Sequence, residues 1–320
     1  MAETSVSYPD TFPLPPLSRA REVEELLVDA IDLHCHSGPA AMPRILDHYE
    51  ELQDAAAAGF RAVLYKDHFY PGMAHAIILE KLYPQLGVQL FSGVALNNAS
   101  GGINPHAVDH AIKLGGKIVW MPTLSAANHI NVQASGQAKT FPKTSQKMLD
   151  PIPLTALDAN GSLTDDTKKV IDLIAEGDII LAGGHLHVSE QHLLFEEAKR
   201  RGVRKMLVNH PTYVVGFNDS DIRQLVGLGV TMEHSICMFI EGKAKKFSPE
   251  DLAHLIEVAG VEHTILSSDL GLLGSQRPVN GFRSVTQILL DLQMPRDAIK
   301  RLISQNAAAF LNLPASRPAA

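Results

Sequence analysis

From residue 30 onward one unit recurs along the chain, and it limits the available folds more than any other feature. An apolar run of strand length ends in polar or histidine residues, and an amphipathic helical stretch follows. A glycine then closes that helix just before the next strand. The junctions read AAAAGFRAVLYK, YPQLGVQLFSGVAL, IKLGGKIVWMPT, IAEGDIILAGGH, AKRRGVRKMLVNH, LVGLGVTMEH and VAGVEHTILSSD. Glycine suits a helix C-terminus because it takes the left-handed conformation without a steric cost. With the opening LLVDAIDLHCH, the pattern predicts eight strands near residues 29–34, 61–66, 88–95, 117–121, 178–183, 204–208, 229–233 and 263–268. Their runs (IVW, IIL, MLV, TIL) are apolar on both faces, as expected of parallel strands buried between helices.

Eight strand–helix units predict an α/β fold, a (β/α)8 TIM barrel forming one domain over residues 28–320. A doubly wound open sheet is the alternative. It would usually carry a nucleotide loop, and neither GxGxxG nor GxxxxGK occurs. One connection breaks the rhythm, the long stretch after the fourth strand. Residues 124–163 there read as a lid-like insertion, and PLTALDANGSLT within it as a small hairpin turning at Asn160-Gly161. Residues 1–27 are proline-rich and read as an extended arm. They lack the basic start and apolar stretch of a signal peptide.

Hydrophobic residues make up 45% and charged residues 20%, the balance of a globular protein with a sizeable core. A net charge of −7 gives no reason to expect nucleic acid, and the basic cluster Lys243, Lys245 and Lys246 reads as a solvated loop. No run approaches the roughly 18 apolar residues of a membrane span. The two cysteines, Cys35 and Cys237, cannot build a disulfide framework, so a cytoplasmic location is expected. The arm, able to cross to a neighbouring subunit, makes a homo-oligomer the expectation.

A barrel's active site sits at the C-terminal ends of its strands, and this edge is where the chain concentrates its chemistry. The first strand ends in IDLHCHSG. On a period of two His34 and His36 point the same way and Cys35 the opposite way, which suits a divalent metal. Lys66, Asp67 and His68 follow the second strand, with alternation turning Lys66 and His68 inward and Asp67 outward. His185, His187 and Glu190 follow the fifth, His210 the sixth, Glu233 and His234 the seventh, and Asp269 the eighth. Lys66 either is carboxylated and bridges metals or remains an ammonium that pairs with an anionic substrate. His187, Glu233 and His234 stay candidates for binding substrate. So does Asn97 after the third strand, as an amide donor.

This arrangement resembles the amidohydrolase superfamily. The likeness rests on the HxH after the first strand, single histidines after the fifth and sixth, the aspartate after the eighth, and the closing RLISQNAAAFLNL, and it covers most of residues 28–313. Closer still, it is similar to an uncharacterised branch of metal-dependent hydrolases. The resemblance implies that His34, His36, His185 and Asp269 bind metal, with His210 a ligand of a second ion or a group that polarises substrate. One or two divalent ions are expected, Zn²⁺ first, with Mn²⁺, Fe²⁺ and Co²⁺ fitting the same ligands. The fourth strand departs from the pattern. It ends VWMPT, with no lysine or glutamate to bridge two ions.

DLHCHS followed by KDH is also similar to the polymerase-and-histidinol-phosphatase barrels, in which Asp67 and His68 would be ligands and phosphate esters the substrates. The leading expectation is hydrolysis of an amide, cyclic amide, lactone or ester bond of a small molecule, with Asp269 moving the proton and His210, Lys66 and His68 in catalytic roles. A phosphoesterase is the second reading. A lyase, decarboxylase or hydratase on the same barrel is the third, and a barrel holding a structural metal the fourth.

Overall fold

The structure is a computed structural model that describes residues 9–136 and 143–314. Eight strands, β1 (Ile31–Cys35), β2 (Ala62–Tyr65), β3 (Gln89–Ala95), β4 (Ile118–Trp120), β5 (Ile180–Ala182), β6 (Met206–Asn209), β7 (Thr231–Ser235) and β8 (Thr264–Ser267), pair in parallel and in chain order. Helices lie between them. The two ends of the sheet meet: Asp269 N–H donates to His34 O at 2.7 Å and His36 N–H to Leu270 O at 2.8 Å. A doubly wound sheet would leave these edges apart, so the fold is the expected (β/α)8 barrel.

Alternation along each strand sorts the side chains into two sets. Leu33, Leu64, Ile118, Trp120, Leu207 and Ile265 fill the barrel interior. Val63, Tyr65, Val119, Leu181, Val208 and Leu266 face the surrounding helices. Burying each such side chain contributes roughly 2 kcal/mol. Several of those helices start on a capping box: Asp47 with Glu50, Asn218 with Asp221, and Ser248 with Asp251.

β1 breaks the alternation at one point. Asp32 pairs with Val63, yet the next registered partners are Cys35 and Tyr65, so β1 spends one residue more than β2. This is a β-bulge. Ile31 and Leu33 face inward; on an unbroken period His34 and His36 would then face the outer helices. The extra residue resets the phase, so Cys35 joins the outer cluster, His36 lines the mouth and His34 turns to the same side, its Nε2 3.2 Å from that of His36. A bulge takes a backbone N–H out of the ladder. Asp32 Oδ1 supplies the missing acceptor, taking hydrogen bonds from His34 N–H and Ser268 N–H, each at 3.0 Å.

The opposite end of the barrel is stoppered. The helix Asn306–Phe310 places Ala307, Ala308 and Leu311 against the interior set. Asn306 Nδ2 donates to Thr264 O (2.6 Å), and Arg61 to Pro314 O (2.5 Å).

The arm departs from the expected extended form. Ala20–Leu27 is a helix that buries Val23, Leu26 and Leu27, and it packs on the helix Pro278–Asp291 of its own barrel. Hydrophobic residues spaced three and four apart explain the difference. Residues 1–8 lie outside the described residues. The insertion after β4 contains the expected hairpin, with Leu157 bridged to Leu163 and a turn over Asp158–Gly161. It is fastened across the mouth. Ser145 N–H donates to Ala41 O near β1 (2.9 Å), and Asn128 Nδ2 to His185 O (3.1 Å) and Val214 O (2.8 Å). The lid expected over 124–163 falls in part on residues 137–142, outside the described residues. Among the described residues no helix is long and apolar enough to cross a membrane.

Candidate functional site

Three side chains converge at the mouth. His34 Nε2 and His36 Nε2 lie 3.2 Å apart, and Asp269 Oδ1 is 3.2 and 3.1 Å from them. Among the described residues this is the group of histidine and carboxylate side chains whose ligand atoms all fall within 4.8 Å of one another. The other ring nitrogens reveal the chemistry. His36 Nδ1 is 3.0 Å from Lys66 O, which only accepts, so Nδ1 carries the proton. His34 Nδ1 lies 2.8 Å from Glu233 Oε1, the carboxylate–histidine arrangement found behind metal ligands. Burial holds both imidazoles well below their ordinary pKa, so both rings are neutral. Each therefore turns a lone pair toward the other and toward a carboxylate. Such a set repels itself unless a positive charge sits among its members. The nearest positive charge, the Lys66 ammonium, already stands 2.9 Å from His34 Nε2. The donors fit a divalent cation.

Asp269 reaches this position through a left-handed backbone, φ +49°. Burial opposes its ionisation, but the groups around it, the Lys66 ammonium among them, outweigh that and hold the carboxyl below its ordinary value. Gly271, two residues on, lets the loop pass over β1. A Cβ there would come within 2.3 Å of His36 O. Lys66 and His68 face inward as expected, and both line a pocket of about 760 Å³, its open mouth included. Burial lowers the Lys66 pKa to about 8, and its ammonium also lies 5.2 Å from the Trp120 ring centroid. Asp67 points the other way and pairs with Arg44 at 2.9 Å, so the phosphoesterase-like ligand role for Asp67 does not hold.

Several expected site residues are placed differently. His185 lines the pocket but stands outside the three-residue group. Its Nδ1 is 2.8 Å from His129 Nδ1, and its ring centroid is 5.0 Å from that of His210. His210 holds Nδ1–H against Tyr213 O at 3.2 Å, so its free nitrogen offers a lone pair. That suits a ligand better than a donor to substrate oxygen. His187, expected to bind substrate, is exposed and caps the helix Val188–Arg200, taking the Ser189 N–H, and is not among the residues that line the pocket.

Glu233 and His234, both expected in the pocket, are neighbours on β7 and alternate. Glu233 turns inward but is consumed by His34 and by Asn209 Nδ2 (2.5 Å), with burial and Asp269 pushing its pKa up to about 7. His234 turns outward beside Phe239, its pKa lowered to about 4 by burial. Asn97 is saturated. Its amide donates to His68 O and Thr123 Oγ1, and its oxygen accepts from Thr123 N–H and Ser125 N–H. It fastens two loops and has nothing left for substrate. His129 belongs to the site region and was not expected there, because it lies on a helix of the insertion rather than at a strand end.

The model of a family of unknown function, DUF6282, matches residues 29–233. The chain belongs to DUF6282. The match spans β1 to the middle of β7, so Asp269 of this DUF6282 barrel lies beyond it. Among curated proteins none matches. Solved structures share the fold. An amidohydrolase from Pseudomonas aeruginosa is 12% identical with a TM-score of 0.60, over 92% of this chain and 98% of that one. The probable dipeptidase PvdM from the same organism is 11% identical with a TM-score of 0.61, over 91% and 97%. A metallopeptidase from Rhodobacter sphaeroides, solved with a phosphinate mimic of the dipeptide L-Ala-D-Ala, is 11% identical with a TM-score of 0.56, over 89% and 99%. The structural neighbours of this DUF6282 member thus include an amidohydrolase, a probable dipeptidase and a metallopeptidase.

Proposed function

We propose that this chain is a metal-dependent hydrolase that cleaves a C–N or C–O bond of a small molecule, in an amide, cyclic amide, lactone or ester. The observation that carries this reading is the pair of neutral imidazoles turning lone pairs toward each other beside Asp269 Oδ1. The amidohydrolase and peptidases that share the fold support it. His34, His36 and Asp269 would hold the ion, with His185 and His210 placed for a second.

A divalent ion held there supplies a water acidic enough to attack at neutral pH and a Lewis acid for the oxygen that gains charge. Asp269 takes the proton from the attacking water and delivers it to the leaving group. Its carboxylate is ionised at neutral pH and open to the pocket, as a base must be. Lys66, with the His34 lone pair committed elsewhere, is left to pair with an anionic oxygen of the substrate. Trp120 and the interior set close the floor and exclude water beneath the reacting atoms.

Metal analysis of the purified protein, combined with a screen of amides, lactones, esters and phosphate esters, tests the reading. Bound divalent metal and chelator-sensitive turnover of one of the first three classes are expected. His34→Ala or Asp269→Asn should lower kcat by about 10²–10⁴-fold with the fold retained, as circular dichroism would show. Turnover confined to phosphate esters, or full activity in either variant, would overturn it.

A further inference from the structure

Beyond the three converging donors the pocket is walled by Tyr213, Met238, Leu272 and Leu273, and Lys243 and Lys246 stand in its lining as well. Composition alone makes this lysine run a solvated loop, and Lys245 behaves so: it is exposed and pairs with Glu241. Lys243 is half-buried, and Lys246, though exposed, stands over an aromatic ring instead of a carboxylate. Their loop is fixed by backbone hydrogen bonds, Lys243 N–H to Gly274 O (2.8 Å) and Lys246 N–H to Met238 O (2.9 Å). The Lys243 stem lies so close to Gly274 that a Cβ there would come within 3.1 Å of it. The Lys246 ammonium sits 4.8 Å from the centroid of the Tyr213 ring.

Neither ammonium has a carboxylate within 4 Å among the described residues, and Asp269 is the one carboxylate in the described lining, which also holds Lys66. A chain with a net charge of −7 has thus gathered uncompensated positive charge around one cleft. Like charges facing a partly dry cleft repel each other, and an anion entering between them relieves that cost.

We propose that Lys243 and Lys246 form an anion subsite and that the substrate carries a carboxylate or phosphate group there. A short apolar segment, covered by Met238, Leu272 and Leu273, joins this group to the bond that is cleaved. The place of that bond rests on the hydrolase reading; the anion subsite itself does not.

Calorimetric titration of glutarate into the metal-loaded protein at low ionic strength tests the subsite. Wild type should bind, Lys243→Met with Lys246→Met should weaken binding about tenfold or more, and Lys245→Met should leave it unchanged. Absence of binding to wild type, or equal affinity in wild type and the double variant, would overturn the proposal. In a second arm, wild type should prefer mono-para-nitrophenyl glutarate over para-nitrophenyl butyrate in kcat/KM, and the double variant should lose that preference. A preference that survives both substitutions also overturns the subsite. Glutarate binding that depends on the lysines, without turnover of either ester, would support the subsite and count against the hydrolase reading.

Discussion

In the proposed site His34 would serve as a ligand through Nε2 because Glu233 takes its other nitrogen. The carboxylate lies 2.8 Å from Nδ1, so the ring is oriented and the Nε2 lone pair is left for an ion. Glu233→Ala should weaken metal affinity about 10–100-fold, measured by competition with a chelator, whereas Glu233→Gln keeps an acceptor and should lose less. Unchanged affinity in the alanine variant would deny Glu233 this role. His187 makes the contrast. As an exposed helix cap it should tolerate alanine with turnover near wild type, at a stability cost of about 0.5–1 kcal/mol by denaturant unfolding. From sequence these two looked alike, polar residues just past a strand. Glu233 and His234 were inseparable because the last inward position of β7 depends on where the strand ends, which apolar spacing does not show. Asn97 looked like a free donor because the four hydrogen bonds that exhaust it come from residues remote in the chain.

The element that most shapes the site is β1. Its extra residue turns the two histidines toward the mouth, and Asp32 Oδ1 holds the displaced backbone by accepting from His34 N–H and Ser268 N–H. Asp32→Ala leaves two buried N–H groups without an acceptor and should cost about 2–3 kcal/mol in urea unfolding, with weakened metal binding beside it. Asp32→Asn keeps the acceptor and should be milder; equal losses in both would show that charge rather than hydrogen bonding matters. Eight strands were readable because each apolar run ends against a polar edge and begins after a helix-ending glycine. The bulge was not, since a period of two counted back from the histidines happens to give their correct mutual direction while Leu33 breaks it. The helix Ala20–Leu27 was overlooked because the prolines before it dominate the segment's composition.

Across the whole molecule the buried titratable groups set the response to acid. Burial depresses the pKa values of His34, His36, His48, His68, His129, His185, His210 and His234. Below about pH 6.5 the unfolded chain gains protons that these rings refuse, so stability falls as pH falls. Asp32, Glu51 and Glu233, whose pKa values are raised mainly by burial, act in the opposite sense, holding protons that the unfolded chain releases. The imidazoles outnumber them. Metal-stripped protein should therefore lose roughly 1 kcal/mol or more per pH unit between pH 6.5 and 5 in denaturant unfolding; constant or rising stability would contradict it.

The meeting of β1 with β8 has a consequence in time as well as space. During synthesis the first two donors, His34 and His36, leave the ribosome well before the third, Asp269, which lies more than 230 residues further on. A nascent chain that ends before Asp269 lacks the third donor, so an ion held by all three would load after β8 is made. An ion held by His34, His36 and Asp269 would then act as a clasp between β1 and the loop after β8.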